Sequence, residues 1–287
     1  MEMTRKKKIT ALLAYILGLF VLFAIILFPD DAVRNCLQNN LQQWNPKAAV
    51  TVGAIGPALP FSIQFQDCLV YYDDKPVVAA DSLKLTPAAA TLVGGDPAGT
   101  FTIKLLDGRI RGEAGRDQNG GYQARARLAG LQLEKMAILQ NLTRHRLRGV
   151  LQGNVKTQME SSSLAVTAEL QLSEGGIVFA EPVFGLAEIP FDMITAELTM
   201  TGRTLGISEC DISGSEVSGR ITGQIMLMTP YGASRLNLQG AVKPHASLVS
   251  RLQKQLPVDV LIRKNQGPEG FPVKITGTIA EPRLSLQ

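Results

Sequence analysis

The sequence predicts a mainly β protein: a single transmembrane helix at the N-terminus, then an antiparallel sheet domain with two short helices. Three observations carry this reading. A run of 20 residues without a charge, Ile9 to Phe28, follows the basic cluster Arg5-Lys6-Lys7-Lys8. From Ala48 onward apolar residues recur at every second position, the period of a strand with one apolar face. Turn-forming residues fall between these alternating runs, as in hairpin-connected sheets.

Residues 1–8 read as a cytoplasmic basic tail and 9–28 as the anchor. At about 1.5 Å per residue, a helix over the apolar run matches a hydrocarbon core of roughly 30 Å. Pro29-Asp30-Asp31 ends it, so basic residues stand on one side and acidic ones on the other. The positive-inside bias then places the N-terminus in the cytoplasm and all that follows across the membrane. The competing reading is a cleaved signal peptide. Its apolar segment is usually shorter, about 7–15 residues, and ends at small residues, whereas Phe28-Pro29-Asp30 is a poor cleavage site. A soluble core helix fits less well, because the run is apolar on every face.

Residues 29–45 read as an amphipathic linker helix. Val33, Cys36, Leu37, Leu41 and Trp44 recur at helical spacing, Asp30 or Asp31 can cap the start, and Asn45-Pro46 stops it. The apolar stripe suits either a membrane surface, with Trp44 at the interface, or packing on the domain that follows.

Residues 46–287 read as one β-rich domain. Phe61, Ile63 and Phe65 alternate with polar residues, as do Phe101, Ile103 and Leu105. The longest alternation is Leu164, Val166, Ala168, Leu170 and Leu172. Four further runs start at Ile194, Ile221, Leu236 and Val273. Turns are expected at Asp73-Asp74-Lys75-Pro76, Gly94-Gly95-Asp96-Pro97, Asn119-Gly120-Gly121, Gly175-Gly176 and Pro230-Tyr231-Gly232. Two segments, Leu131–Leu142 and Ser247–Leu256, show helical spacing and read as the short helices.

Gly108-Arg109-Ile110-Arg111-Gly112, Gly149-Val150-Leu151-Gln152-Gly153 and Gly219-Arg220-Ile221-Thr222-Gly223 share the form Gly-x-apolar-x-Gly. In a strand the two glycines and the apolar residue share a face. They relieve crowding, let the sheet bend, or leave room for something close to it. Their irregular spacing does not support a solenoid.

Composition argues against several function classes. The net charge of +4 comes largely from the N-terminal tail, leaving a nearly neutral remainder; a nucleic-acid reader would carry a strong basic patch. Arg144, Arg146 and Arg148 form a small cluster that reads as a solvated face. Cys36, Cys68 and Cys210 show no Cys-x-x-Cys pair, which leaves zinc unsupported. They read as small buried hydrophobes, and if any two bridge, Cys68 with Cys210 is the expected pair. The only histidines, His145 in a polar stretch read as solvated and His245 after Pro244, lack metal-ligand spacing. No nucleophile elbow, phosphate loop or paired carboxylates occur, and adjacent Asp73 and Asp74 read as a turn. The reading is of a protein that is not an enzyme, with no catalytic, cofactor-binding or metal-binding residue to name.

The anchor leads directly into Phe28-Pro29-Asp30-Asp31-Ala32-Val33, and Gly56-Pro57-Ala58-Leu59-Pro60 precedes the first clear strand. Later come Gly219-Arg220-Ile221-Thr222-Gly223 and Ser234-Arg235-Leu236-Asn237-Leu238-Gln239-Gly240. The chain closes on Ile275-Thr276-Gly277-Thr278-Ile279-Ala280-Glu281-Pro282-Arg283-Leu284. This punctuation resembles the N component of type II secretion systems (GspN), a family similar in turn to the AsmA-like proteins of the bacterial inner membrane. The resemblance implies an elongated, curved sheet in the periplasm, anchored in the inner membrane with a cytoplasmic N-terminus. It implies inner-membrane lipids and other secretion-system subunits as partners. The AsmA-like kinship adds an apolar trough able to hold phospholipid.

Two functions are therefore expected. One is a non-catalytic adaptor of type II protein secretion that docks subunits through its sheet edges. The other is a lipid-binding or lipid-transfer module. They differ at Val166, Leu170, Ile225 and Leu238, which are packed core in the first and groove lining in the second.

Overall fold

The structure is a computed structural model that describes residues 28–44, 46–58, 61–73, 75–117, 120–136, 145–160, 163–183, 186–253 and 270–286. The tail 1–8 and all but the last residue of the apolar run 9–28 lie outside them. Among the described residues no helix is long and apolar enough to cross a membrane. The protein is mainly β and antiparallel, and divides into two compact units, residues 1–87 and 88–287.

The first unit holds α1 (Asp30–Trp44) and a three-stranded meander of β1 (Ala48–Ala58), β2 (Ser62–Tyr72) and β3 (Lys75–Pro87). The helix has the bounds that its spacing predicts, and Asp30 and Asp31 in its first turn favour the positive end of its dipole. It packs on β1, where the Arg34 guanidinium donates to the Val52 carbonyl, and Val33, Leu37 and Leu41 are half-buried. Cys36 is exposed, against its expected burial. Phe65 and Cys68 are buried although three residues apart; a left-handed φ of 50° at Asp67 falls where the alternation changes phase. Phe61 was expected to start this strand. It lies in the preceding turn instead, at φ 52° and 74% exposed.

The second unit opens with a single helical turn, α2 (Ala89–Leu92). Its strands are β4 (Ala98–Leu105), β5 (Gly108–Arg116), β6 (Tyr122–Gln132), β7 (Arg146–Glu160), β8 (Ser163–Val183) and β9 (Leu186–Thr201). They continue as β10 (Thr204–Ser213), β11 (Val217–Met226), β12 (Arg235–Pro244), β13 (Phe271–Gly277) and β14 (Pro282–Leu286). Each pairs antiparallel with its chain neighbour, so strand order follows chain order from β4 to β14 in an open sheet. Connections between the strands are mostly short hairpins, as the turn residues require.

Three expectations need correction. Leu131–Leu142 is not a helix over its described part: Leu131 and Gln132 end β6 and Leu133–Lys135 form a 3-10 turn, while residues 137–144 lie outside the described chain. The helical spacing there arises because Leu131, Leu133 and Met136 all pack on the sheet end. Gly175-Gly176 is not a turn but the interior of β8. The chain runs on because the Phe191 ring lies where Gly175 has no side chain; a Cβ there would meet it at 2.3 Å. No disulfide joins Cys68 to Cys210; both thiols are reduced. The second expected helix is observed as α3 (Ala246–Gln253), and residues 254–256 lie outside the described chain.

Candidate functional site: the apolar face of the larger sheet

The alternation of the second unit is carried from strand to strand in register. Ile103 pairs with Ile110, Ile110 with Leu128, Leu128 with Gly153, and Gly153 with Leu170. The row continues through Ala196, Cys210, Ile221 and Gly240 to Val273 on β13. A second row runs beside it from Phe101 through Gly112, Ala126, Val155, Ala168 and Leu198 to Ile207. Ten strands thus share one apolar face. Bulges could have broken it, since a one-residue slip turns every later side chain over. Instead, the extra residues come where the phase has to be restored, as at Gly130 (φ 70°) in β6 and Glu174 (φ 51°) in β8.

This face is closed at one end. Leu133, Leu172 and Phe191 are buried there, with Met136, Leu147, Leu151, Ile194 and Ile212 around them. The 3-10 turn is fastened over them by the Lys135–Asp107 ion pair and by Gln132, whose N–H donates to the Leu106 carbonyl at 2.9 Å. α3 is held at the same strand ends. His245 N donates to the Glu216 carbonyl at 2.8 Å, Ser247 Oγ to the Ser215 carbonyl at 3.0 Å, and Leu248 is buried.

Away from that end the face is only half covered. Val166, Leu170, Leu198, Ile221 and Ile225 are half-buried, and of the positions that separate core from groove only Leu238 is buried. Neighbours in the sheet supply some of the cover. The Phe101 ring extends over Gly112, and Leu170 and the Glu169 carbonyl crowd Gly153, whose φ of 155° and missing Cβ allow the approach. The Gly-x-apolar-x-Gly motif therefore makes holes in one strand for knobs from the next.

The opposite face is polar. A recess of about 470 Å³ opens on it between β6 and β10, lined by Arg127, Asn154, Glu169, Glu197, Glu209 and Asp211 among others. Arg220 donates to Asp211 at 2.6 Å and lies 3.4 Å from Glu209. Its guanidinium holds the Asp211 carboxyl below the usual value. Burial pushes the Cys210 thiol up, with the Asp211 charge adding to it, and burial then Asp67 do the same at Cys68.

The residues weighed as catalytic have structural surroundings. His145 is not solvated: it is half-buried, edge-on to Phe179 at 5.3 Å, because β7 and β8 pair beyond its polar flanks. His245 bonds Ser218 at 3.0 Å and the Ser215 carbonyl at 3.3 Å at the start of α3. Asp73 takes φ 54° in the β2–β3 turn beside Lys47 at 3.5 Å, and Asp74 lies outside the described residues. Arg148 is engaged with Glu188, Arg146 is exposed, and Arg144 lies outside the described residues. Among the described residues no group of histidine, cysteine and carboxylate side chains is arranged to hold a metal. Compared with known proteins, the chain matches no family model, no curated protein and no solved structure.

Proposed function

We propose that this protein is a non-catalytic binding module, tethered by residues 9–28, whose apolar sheet face holds acyl chains on the far side of the membrane. The observation that carries the reading is the half-covered apolar face running in register across ten strands. Apolar side chains left partly exposed are unfavourable in water unless something covers them, and contiguous apolar patches mark interaction sites. The AsmA-like resemblance implies the same use of such a sheet, in an elongated and curved form at the periplasmic side of a bacterial inner membrane.

A second reading, which fits alongside the first, is adaptor in type II protein secretion, as the resemblance to the N component implies. It is favoured by the outer edge of β14, which pairs only with β13 among the described residues and carries Leu284 at 67% exposure. A partner strand could extend the sheet there.

The full chain, reconstituted in phospholipid bilayers with a photoreactive acyl chain, tests the first reading. Label is expected on the apolar face of β7–β11 as well as in residues 9–28. Val166→Asp and Ile225→Asp should remove the sheet label while the thermal transition is retained, whereas Leu133→Asp should abolish folding. Label confined to 9–28, or unfolding of both face variants, would overturn it.

A further inference from the structure

On the polar face, one cross-strand row holds charges sorted by sign. Arg111 on β5 pairs with Arg127 on β6, Arg127 with Asn154 on β7, and Asn154 with Glu169 on β8. Glu169 then pairs with Glu197 on β9, and Glu197 with Glu209 on β10. Two arginines stand side by side on one flank of Asn154 and three glutamates on the other. Like charges directly opposite one another destabilise an antiparallel pair. Within the described residues Arg111, Arg127, Glu169 and Glu197 make no ion pair, and all four are exposed. This arrangement is unfavourable for the isolated sheet and becomes favourable against a surface of the reverse order.

A second copy of the chain presents that surface. A two-fold axis running along β7 through Asn154 turns the face over and exchanges its flanks. Arg127 then meets Glu169 of the other copy, and Arg111 meets Glu197, each twice by symmetry. An axis across the strands would set arginine on arginine, so the charge order selects one geometry. The recess of about 470 Å³ lined by Glu169, Glu197 and Glu209 leaves room for the incoming guanidinium groups. Lys156, also on β7, meets its own copy and opposes the association. We propose that the polar face is a self-complementary docking surface, through which two copies of the chain pair about β7.

Sedimentation equilibrium of the full chain in density-matched detergent tests this. At low ionic strength the protein part should exceed the 30.9 kDa of one chain and approach twice that. The association should weaken toward 1 M salt, where charges are screened beyond about 3 Å. Arg111→Glu or Glu197→Arg should each weaken it by about a hundredfold, because every reversal counts twice and like charges then face each other. The double variant Arg111→Glu/Glu197→Arg should restore it, and Lys156→Ser should strengthen it. As a check independent of these variants, Asn154→Cys should crosslink to itself with a short bismaleimide above the parent chain's background, and Thr199→Cys should not. A monomer at low salt, a dimer indifferent to both reversals, or no restoration in the double variant would overturn the proposal.

Discussion

The ring of Phe101 stands where Gly112 has no side chain: a Cβ on Gly112 would lie 2.4 Å from Phe101 Cζ and 2.4 Å from the Arg125 carbonyl. The contact joins β4, β5 and β6 on the apolar face, and one of its walls is backbone, which cannot step aside as a flexible side chain can.

Gly112→Val should therefore destabilise the protein by about 1–3 kcal/mol or more, the usual cost of overpacking. Gly56→Ala is the control, since nothing lies within 4 Å of a Cβ there. It should change stability by less than about 0.5 kcal/mol. Thermal melts of the two variants beside the parent check this, and equal losses would mean that the close approach at Gly112 is not what limits that position.

Asp211 and Arg220 predict an acid limb. The folded-state pKa of Asp211 is lowered, so its contribution is present above the ordinary value of 3.8 and is lost as pH falls through the lower folded value. Both side chains are partly exposed, which limits the effect to about 0.2–1 kcal/mol. Asp211→Asn should lower stability at pH 7 by that amount and converge with the parent as pH falls below the lowered folded value of Asp211. Denaturant midpoints measured across pH 2–7 provide the comparison, and parallel curves would remove the pair from the account.

The thiols should separate by reactivity. Cys36 is exposed, whereas Cys68 is buried and Cys210 half-buried, both with pKa raised above the model-compound value of 9.0. A disulfide reagent at pH 8 should modify one thiol per chain at least about tenfold faster than the other two, because thiolate is the reacting form. The same shift carries a stability sign. The unfolded chain releases its thiol protons first, so stability should decline as pH rises past 9.0. Two fast thiols would contradict the burial of Cys68 or Cys210.

Where alternation is strict the strands were legible: Phe101 to Leu105, Leu164 to Leu172, Ile194 to Met200 and Leu236 to Val242 all lie in the strands their period predicts. β10 was not legible. Leu205 and Ile207 share a face with Cys210 and Ile212 only because the register shifts between Ile207 and Glu209. The Gly175-Gly176 step misled for a related reason, since in β8 a glycine pair serves as clearance for Phe191 rather than as a turn. The charged row was invisible too. Arg111, Arg127, Asn154, Glu169, Glu197 and Glu209 are scattered through about a hundred residues and become neighbours only through the pairing register.

Apolar spacing, capping and turn chemistry are local properties: period-2 alternation by itself determined that this chain forms antiparallel strands with one apolar face, and helical spacing between Asp30 and Asn45-Pro46 that α1 spans Asp30–Trp44. Which side chains share a row, and whether that face is covered, were decided by tertiary structure. Both depend on register and bulges, and one residue inserted at Gly130 or Glu174 decides whether later strands extend the apolar face or turn it over. Closure at one end by Leu133 and its half-covered state over β7–β11 follow from where the connections fold back, and no spacing along a strand encodes that.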